Sequence, residues 1–197
     1  MELDHPLQAN PPLYTIGHST RTIDDFVYLL RSAGATFVAD VRTLPRSRTN
    51  PQYNQDVLPQ TLAAFAIGYE HILSLGGLRG RSRGVPSDVN GFWQNASFHN
   101  YADYAMGESF RNGLQRLREL ARARRCAIMC AETLWWRCHR RIITDYLIDG
   151  GETVFHILGP GHIEAAKKTS AARTGPGGVL TYPMDGPRHA GGRSAHS

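Results

Sequence analysis

Short apolar runs alternate along this chain with longer stretches whose apolar residues have helical spacing, and this alternation limits the fold more than any other feature. Strands that are joined through helices favour right-handed crossovers and a parallel sheet. We therefore predict an α/β fold, a three-layer Rossmann-like sandwich with a mainly parallel sheet of about five strands. The predicted strands cover residues 13–16, 36–41, 69–73, 126–130 and 153–158.

Capping residues and glycines indicate where the helices begin and end. Thr22 and Asp25 resemble a capping box, with Asp in place of the more usual Glu or Gln, and the helix that follows is expected to end at Gly34. Gly107 and Gly113 weaken the longest predicted helix and are expected to divide it. The other predicted helices cover residues 57–67, 100–123 and 135–149.

The length of 197 residues suits a single α/β domain with a well-formed core. We expect a polar, proline-ended N-terminal lead-in over residues 1–12 and one α/β domain over residues 13–168. From residue 169 onward Gly, Pro, Ser, Ala and Arg dominate, which predicts a flexible C-terminal tail over residues 169–197.

Composition also indicates the compartment. No apolar run approaches the roughly 18 residues expected of a membrane span. The N-terminus has no basic stretch followed by an apolar one, so no signal peptide is visible. The 3 cysteines are an odd number, and reduced thiols in a cytoplasm are the simplest interpretation. We therefore predict a cytoplasmic protein with no membrane partner.

The net charge is +5, and nearly all of the basic residues are arginine. Arginine binds phosphate and carboxylate in a bidentate manner better than lysine does, although codon bias also explains an arginine-rich surface. Codon bias does not explain why many arginines fall in or next to the loops after the strands, and this placement predicts an anion-binding cleft. These residues are Arg21, Arg42, Arg46, Arg48, Arg79, Arg81, Arg83, Arg137, Arg140 and Arg141.

Ligands of an open parallel sheet bind beyond the carboxyl ends of its strands. Polar or glycine residues follow four of the predicted strands at this edge. We therefore expect His18, Arg42, Glu132 and His139 to converge in one cleft. The residues at the four strand ends are His18 and Ser19, Asp40 and Arg42, Gly76 and Gly77, and Cys130 and Glu132.

Several of these segments together resemble a known family. They are Thr15-Ile16-Gly17-His18-Ser19, Asp40-Val41-Arg42 with Pro45 and Ser47, Leu75-Gly76-Gly77, Tyr101-Ala102-Asp103-Tyr104, and Cys130-Ala131-Glu132 with Cys138-His139-Arg140. This combination is similar to domain-of-unknown-function family 488 over about residues 13–158. The resemblance implies a single intact domain and a shared site, but the family label carries no established reaction or substrate.

The residue types at the expected cleft suggest roles for each side chain. Glu132 and His18 are acid–base candidates, since a carboxyl group at a buried strand end titrates abnormally. Cys138 and His139 lie near a predicted helix N-terminus, where the dipole favours a thiolate or a bound anion and lets this pair shape or activate the site. The residues expected to hold phosphate are Arg42, Ser47 and Arg140.

Asp40 and Arg42 are two residues apart and so face the same side of their strand. They form either a buried pair that braces the end of the sheet or an acid held beside a phosphate clamp. The first interpretation suits Asp40 better, and the second suits Arg42.

Three named chemistries fit the spacing poorly. A phosphatase-like or rhodanese-like loop needs an arginine six places after its cysteine, and Arg137 comes one place late after Cys130. Adjacent helical residues point about 100° apart, so Cys138 and His139 are not expected to share a zinc ion, and we predict no metal site. The glycines after the third strand do not have the spacing of a dinucleotide-binding fingerprint.

The sequence thus favours an enzyme that acts on a phosphate-bearing substrate, either a nucleotide or a nucleic acid, in a cleft beyond the strand ends. One alternative is a non-catalytic nucleic-acid-binding module that uses the same arginines. Another is a thiol-dependent or metal-dependent protein centred on Cys130, Cys138 and His139. The pattern identifies no cofactor and no oligomeric state.

Overall fold

A computed structural model describes residues 10–184 of the chain. The main sheet has 6 strands in the order β3-β2-β4-β1-β5-β6. The first five strands in chain order pair in parallel, and β6 pairs antiparallel with β5 at the edge. The strands are β1 (Leu13–Gly17), β2 (Phe37–Asp40), β3 (Gly68–His71), β4 (Cys126–Cys130), β5 (Val154–Gly159) and β6 (His162–Ala165).

The mainly parallel sheet confirms the predicted fold class, and all five predicted strands are present. The additional strand β6 follows β5 after a tight turn in which Gly161 has a φ of +65°. All four residues of β6 are exposed, so the strand lacks the apolar alternation from which strands are recognised in sequence.

Helices cover both faces of the sheet and complete three layers. Helices α1 and α2 pack with Ile16, Val38 and Met129 on one face. The other three helices pack with Ala39 and Ile128 on the opposite face. The helices are α1 (Ile23–Ser32), α2 (Leu58–Ala63), α3 (Ala96–Ala105), α4 (Glu108–Ala123) and α5 (Arg140–Asp149).

Local signals in the sequence explain two helix boundaries. The Thr22 hydroxyl accepts a hydrogen bond from the Asp25 backbone N–H at 3.1 Å, which confirms the predicted cap of α1. The long predicted helix is divided at Gly107, the N-cap of α4, as its glycine content indicated. The prediction for α5 was wrong over its first turn, because Trp135–Arg137 form one 3₁₀ turn and Cys138 is extended, with φ −125° and ψ 145°.

The segment after residue 168 packs on the domain, so the predicted flexible tail is wrong over residues 169–182. Arg173–Thr174 (β7) and Leu180–Thr181 (β8) form a short antiparallel hairpin. The cause is a buried acceptor: Asp145 of α5 receives hydrogen bonds from the Thr169 backbone N–H at 2.7 Å and from the Tyr182 hydroxyl at 3.0 Å. The rest of the predicted tail, residues 185–197, and residues 1–9 of the lead-in lie outside the described residues.

Candidate functional site

A cavity of about 300 Å³ opens at the carboxyl edge of β2 and β4, where a parallel sheet is expected to bind its ligand. Its walls come from three loops and the start of α3. Apolar side chains form much of these walls. The lining residues named below are Arg42, Leu44, Gly77, Leu78, Phe98, Cys130, Glu132, Arg137, Cys138 and His139.

The Cys138 sulfur lies at the cavity wall and contacts two basic side chains. The residue is 4% exposed, and its Sγ accepts a hydrogen bond from Arg140 Nε at 3.2 Å and lies 3.6 Å from His139 Nδ1. Burial alone would raise the pKa of this thiol, but the hydrogen bond from Cys130, the charge of Arg140 and the nearby His139 outweigh it and hold the pKa well below its usual range. The surroundings of this buried sulfur therefore favour its thiolate form at the wall of the cavity.

The pKa of Cys130 shifts in the opposite direction. Its hydrogen bond to Cys138, its burial and the charge of the Cys138 thiolate raise the pKa of Cys130 well above the usual range. The pair therefore carries one negative charge, on Cys138, because Arg140 and His139 contact that sulfur. Cys130 remains a neutral thiol that donates to it.

His139 is oriented by the chain around it. Its Nε2 lies 2.9 Å from the Val41 backbone oxygen, which only accepts, so Nε2 carries a proton and Nδ1 is the nitrogen that faces Cys138 Sγ. A Cβ atom at Gly77 would lie 2.4 Å from Nδ1, so the glycine allows the imidazole to occupy this place. The Tyr101 ring packs against the imidazole, with centroids 5.0 Å apart.

Arg140 does not lie where a phosphate-binding residue of the cavity would lie, although the sequence predicted that role. It is 1% exposed and does not line the cavity. Its guanidinium donates to Cys138 Sγ and to the backbone oxygen of Glu132. The group thus lies behind the thiolate and compensates its charge, rather than reaching a bound phosphate.

Asp40 and Arg42 form the buried pair that was one of the two interpretations of their spacing. Arg42 Nη2 lies 2.6 Å from Asp40 Oδ2, and the same nitrogen donates to the Tyr53 backbone oxygen at 2.7 Å. The Tyr69 hydroxyl donates to Asp40 Oδ2 at 2.8 Å. Asp40 is fully buried and Arg42 is 5% exposed at the cavity wall, so this pair braces the ends of β2 and β3.

His18 lies behind Arg42 and does not line the cavity. Its Nδ1 donates to the Ser19 backbone oxygen at 2.8 Å, and its Nε2 lies 3.2 Å from Arg42 Nη1. The ring stacks on Tyr53 with centroids 4.0 Å apart. Burial, with the charge of Arg42, lowers the pKa of His18 to about 4, so this histidine is neutral and supports the arginine.

Two other predicted site residues also differ from expectation. Glu132 lines the cavity, but it is exposed at the rim and its Oε1 accepts from the Leu134 backbone N–H at 3.1 Å, so the premise of a buried acid was wrong. The Ser47 hydroxyl accepts from the Asn50 backbone N–H at 3.0 Å, and Ser47 does not line the cavity. Of the four residues expected to converge, Arg42, Glu132 and His139 line one cavity.

Half of the ten loop arginines are used inside the fold, which explains part of their unusual placement. Arg21 donates to the backbone oxygens of Gly17 and Leu158, and Arg79 donates to the Gly76 backbone oxygen and lies over the Tyr104 ring. Exposed guanidiniums near the site are therefore fewer than the sequence indicates. The exposed members are Arg46, Arg48, Arg81, Arg83 and Arg137.

Three possible metal donors meet at the same place. One ligand atom each from Cys130, Cys138 and His139 lies within 4.8 Å of the others. The prediction against metal relied on two adjacent helical residues pointing apart, and this premise was wrong because Cys138 has an extended backbone. Two sulfurs and one imidazole are ligands that zinc accepts, so the donor set is compatible with that ion.

Sequence reasoning did not identify the apolar part of the cavity or the role of its glycine. Leu44 and Leu78 are 70% and 72% exposed and line it together with Phe98. Isolated apolar residues in polar loops carry no recognisable signal. Gly77 stands in a motif, but its contact with His139 joins segments that are far apart in sequence.

Comparison with known proteins identifies the family. Within residues 10–184, no helix is long and apolar enough to cross a membrane. No curated protein and no solved structure matches the chain significantly. The family described as "Domain of unknown function DUF488" matches residues 22–147, a range that contains every residue of the cavity lining. The chain therefore belongs to the DUF488 family.

Proposed function

We propose that the protein is an enzyme that uses the Cys138 thiolate as a nucleophile on a small substrate bearing a phosphate or another anionic group. The observation that carries the proposal is the convergence of Arg140 Nε and His139 Nδ1 on one buried sulfur at a cavity wall. A thiolate next to an oriented imidazole is a common arrangement for covalent catalysis. Packing alone does not require this arrangement.

The reaction follows from the positions of the two side chains. In the thiolate form, the proton of Cys138 lies on His139 Nδ1, and Nε2 keeps its own proton against the Val41 backbone oxygen. The thiolate forms a bond with the electrophilic centre of the substrate, and the leaving group departs with its electron pair and takes the proton from His139. Water then attacks the adduct and gives a proton to His139, and Cys138 departs as the thiolate.

The shape and charge of the cavity limit the substrate. Its volume of about 300 Å³ is at the lower end of the range for small-molecule sites and is too small for a nucleic-acid duplex. Leu44, Leu78 and Phe98 offer an apolar wall, and Arg137 stands exposed at the rim, where its guanidinium can pair with an anion. These features favour a small molecule with an apolar part and an anionic part over the predicted nucleic acid.

Hydrolysis of two chromogenic esters tests the proposal. p-Nitrophenyl phosphate and p-nitrophenyl acetate share a leaving group and differ in charge. We expect Cys138→Ser to lower release of p-nitrophenolate by about 100-fold or more, and Cys126→Ser to leave it unchanged, since Cys126 is buried away from the cavity. Equal rates for the two variants would rule out the nucleophile.

The role of Arg137 is tested with the same pair of esters. We expect Arg137→Ala to raise KM for the phosphate ester by about tenfold and to leave KM for the acetate ester unchanged, since a phosphate contact contributes to ground-state binding. A parallel change with both esters would show that Arg137 does not read the charge of the substrate. Arg48→Ala is the matched control, because Arg48 is also exposed but does not line the cavity.

Metal-dependent catalysis at the same centre is the second candidate, and the 4.8 Å spread of the three donor atoms favours it. Elemental analysis of protein purified without a metal-affinity tag distinguishes the two candidates. Stoichiometric zinc that is lost in the Cys138→Ala variant would place the metal-dependent enzyme first. A protein without metal whose Cys138 reacts rapidly with iodoacetamide supports the thiol enzyme.

A further inference from the structure

Two sulfur atoms share the wall of the cavity, although the proposed reaction uses one. Cys130 and Cys138 are 9% and 4% exposed, both line the cavity, and their sulfurs lie within 4.8 Å of each other. The third cysteine, Cys126, stands at the other end of β4, is fully buried and does not line the cavity. The two cavity cysteines are thus a pair in space, and Cys126 is a natural reference.

The backbone around the pair leaves room for the sulfurs to approach. Cys130 is the last residue of β4, and Cys138 has an extended conformation between a 3₁₀ turn and α5, so neither lies inside a helix. The connecting segment carries exposed residues at Ala131, Glu132 and Trp136. A disulfide needs a sulfur separation of about 2.05 Å. We infer that the sulfurs approach through a change of side-chain rotamers and a movement of this surface segment.

We propose that Cys130 and Cys138 form a reversible disulfide when the protein meets a hydroperoxide. The inference rests on the proposed function and uses the same Cys138 sulfur, which lies within 4.8 Å of the Cys130 sulfur at the cavity wall. It adds a modification site, with Cys130 as the residue that resolves the oxidised nucleophile. Hydrogen peroxide is small enough to enter a cavity in which the target residue is 4% exposed.

The oxidation proceeds in two balanced steps. The Cys138 thiolate attacks one oxygen of the hydroperoxide, the O–O bond breaks, and the departing alkoxide or hydroxide takes a proton, so that sulfur is oxidised to a sulfenic acid and the peroxide is reduced. The Cys130 sulfur then attacks the Cys138 sulfur and its thiol proton leaves with the hydroxyl group as water. The products are one disulfide, one alcohol or water from the peroxide, and one water.

Arg140 makes the disulfide easy to reduce. In the reduced protein, its guanidinium is 1% exposed and donates to the Cys138 thiolate. In the disulfide, sulfur carries no charge, so the buried guanidinium loses its anionic acceptor. Stabilisation of the reduced form in this way raises the reduction potential, as expected for a regulatory bond rather than a structural one.

Peptide mapping after oxidation tests the pair directly. The protein is treated with hydrogen peroxide, alkylated under denaturing conditions and digested with trypsin, which cleaves after Arg125, Arg137 and Arg140. We expect the peptide of residues 126–137, alkylated on Cys126, linked to that of residues 138–140, with a mass two hydrogens below the sum of these two peptides. The link should form equally in Cys126→Ala and be absent in Cys130→Ala, whose Cys138 should be oxidised further to the sulfinic acid.

A second test uses the wild-type protein alone and does not require that any variant folds. Cys130 and Cys138 must lose their reactivity towards alkylation at the same rate and recover it together on addition of a thiol reductant. Oxidation of Cys138 while Cys130 stays alkylatable, or a link between two molecules, would overturn the inference.

Failure of this inference and failure of the proposed function give different results. The rate at which iodoacetamide alkylates Cys138 in the reduced, native protein reports the thiolate without any oxidant. Rapid alkylation with no disulfide after peroxide would refute the disulfide and leave the proposed nucleophile intact. Slow alkylation together with no disulfide would refute both.

Discussion

The reactivity of Cys138 should be almost independent of pH between 6.5 and 8.5. An ordinary thiol has a pKa of about 8.5, so about 1% of it is ionised at pH 6.5 and about half at pH 8.5, and its alkylation rate rises about 50-fold. Cys138 is held as a thiolate by Cys130, Arg140 and His139, so the fraction that reacts changes little over this interval. Because its pKa is lowered, the loss of reactivity begins only at a more acidic pH.

Replacement of Arg140 should restore the ordinary pH dependence. The Arg140→Met variant keeps most of the buried stem but removes the charged donor at 3.2 Å from Cys138 Sγ. A hydrogen bond to a charged group contributes roughly 1.5–3 kcal/mol. Loss of this contribution lowers the ratio of thiolate to thiol by roughly 10- to 150-fold, so the alkylation rate at pH 6.5 should fall and should again rise with pH.

The assay is timed alkylation with iodoacetamide, followed by quantification of the Cys138 peptide. Cys126 is an internal reference in every sample, because burial raises its pKa to about 12 and it should stay unmodified in the native state. Modification of Cys126 would report unfolding. A 50-fold rise in the wild-type Cys138 rate from pH 6.5 to 8.5, or an unchanged rate in Arg140→Met, would refute the thiolate.

Three further predictions concern stability and the shape of the site. Asp40→Asn removes the fully buried partner of Arg42 and should lower the free energy of unfolding by about 3–5 kcal/mol in urea titrations; a loss below about 1 kcal/mol would contradict the brace. Burial lowers the pKa of His156 to about 4. The stability that its neutral form contributes is therefore present above about pH 6.5 and is lost as pH falls towards 4. The full loss is about 3 kcal/mol, and it should be absent in His156→Asn. Gly77→Ala should slow Cys138 alkylation by about tenfold with no loss of helix content by circular dichroism, because the added Cβ meets the His139 ring at 2.4 Å; an unchanged rate would show that the imidazole position is unimportant.

The site could be placed from sequence to the correct edge of the sheet, but not assigned in detail. Cys130, Cys138 and His139 were recognisable because reactive residue types crowded a strand-to-helix junction, and the parallel topology places such junctions at the carboxyl edge. Arg140 and Ser47 were placed at a phosphate on residue type alone. Arg140 instead contacts the Cys138 sulfur two residues away, and Ser47 accepts from a nearby backbone N–H. Residue type alone does not determine which partner a side chain binds.

The sequence by itself determined the alternation of strands and helices, the cap of α1 and the division at Gly107, because hydrophobic periodicity, capping and glycine act over a few neighbouring residues. Only the tertiary structure decided that the Arg140 guanidinium lies against the Cys138 sulfur and that residues 169–182 pack on Asp145. It also decided that the extended backbone at Cys138 brings its sulfur to His139 rather than away from it. The packing of residues 169–182 depends on contacts between segments distant in sequence. The charge at Cys138 depends on burial, which changes the free energy of every charge, and a local pattern of residues does not determine burial.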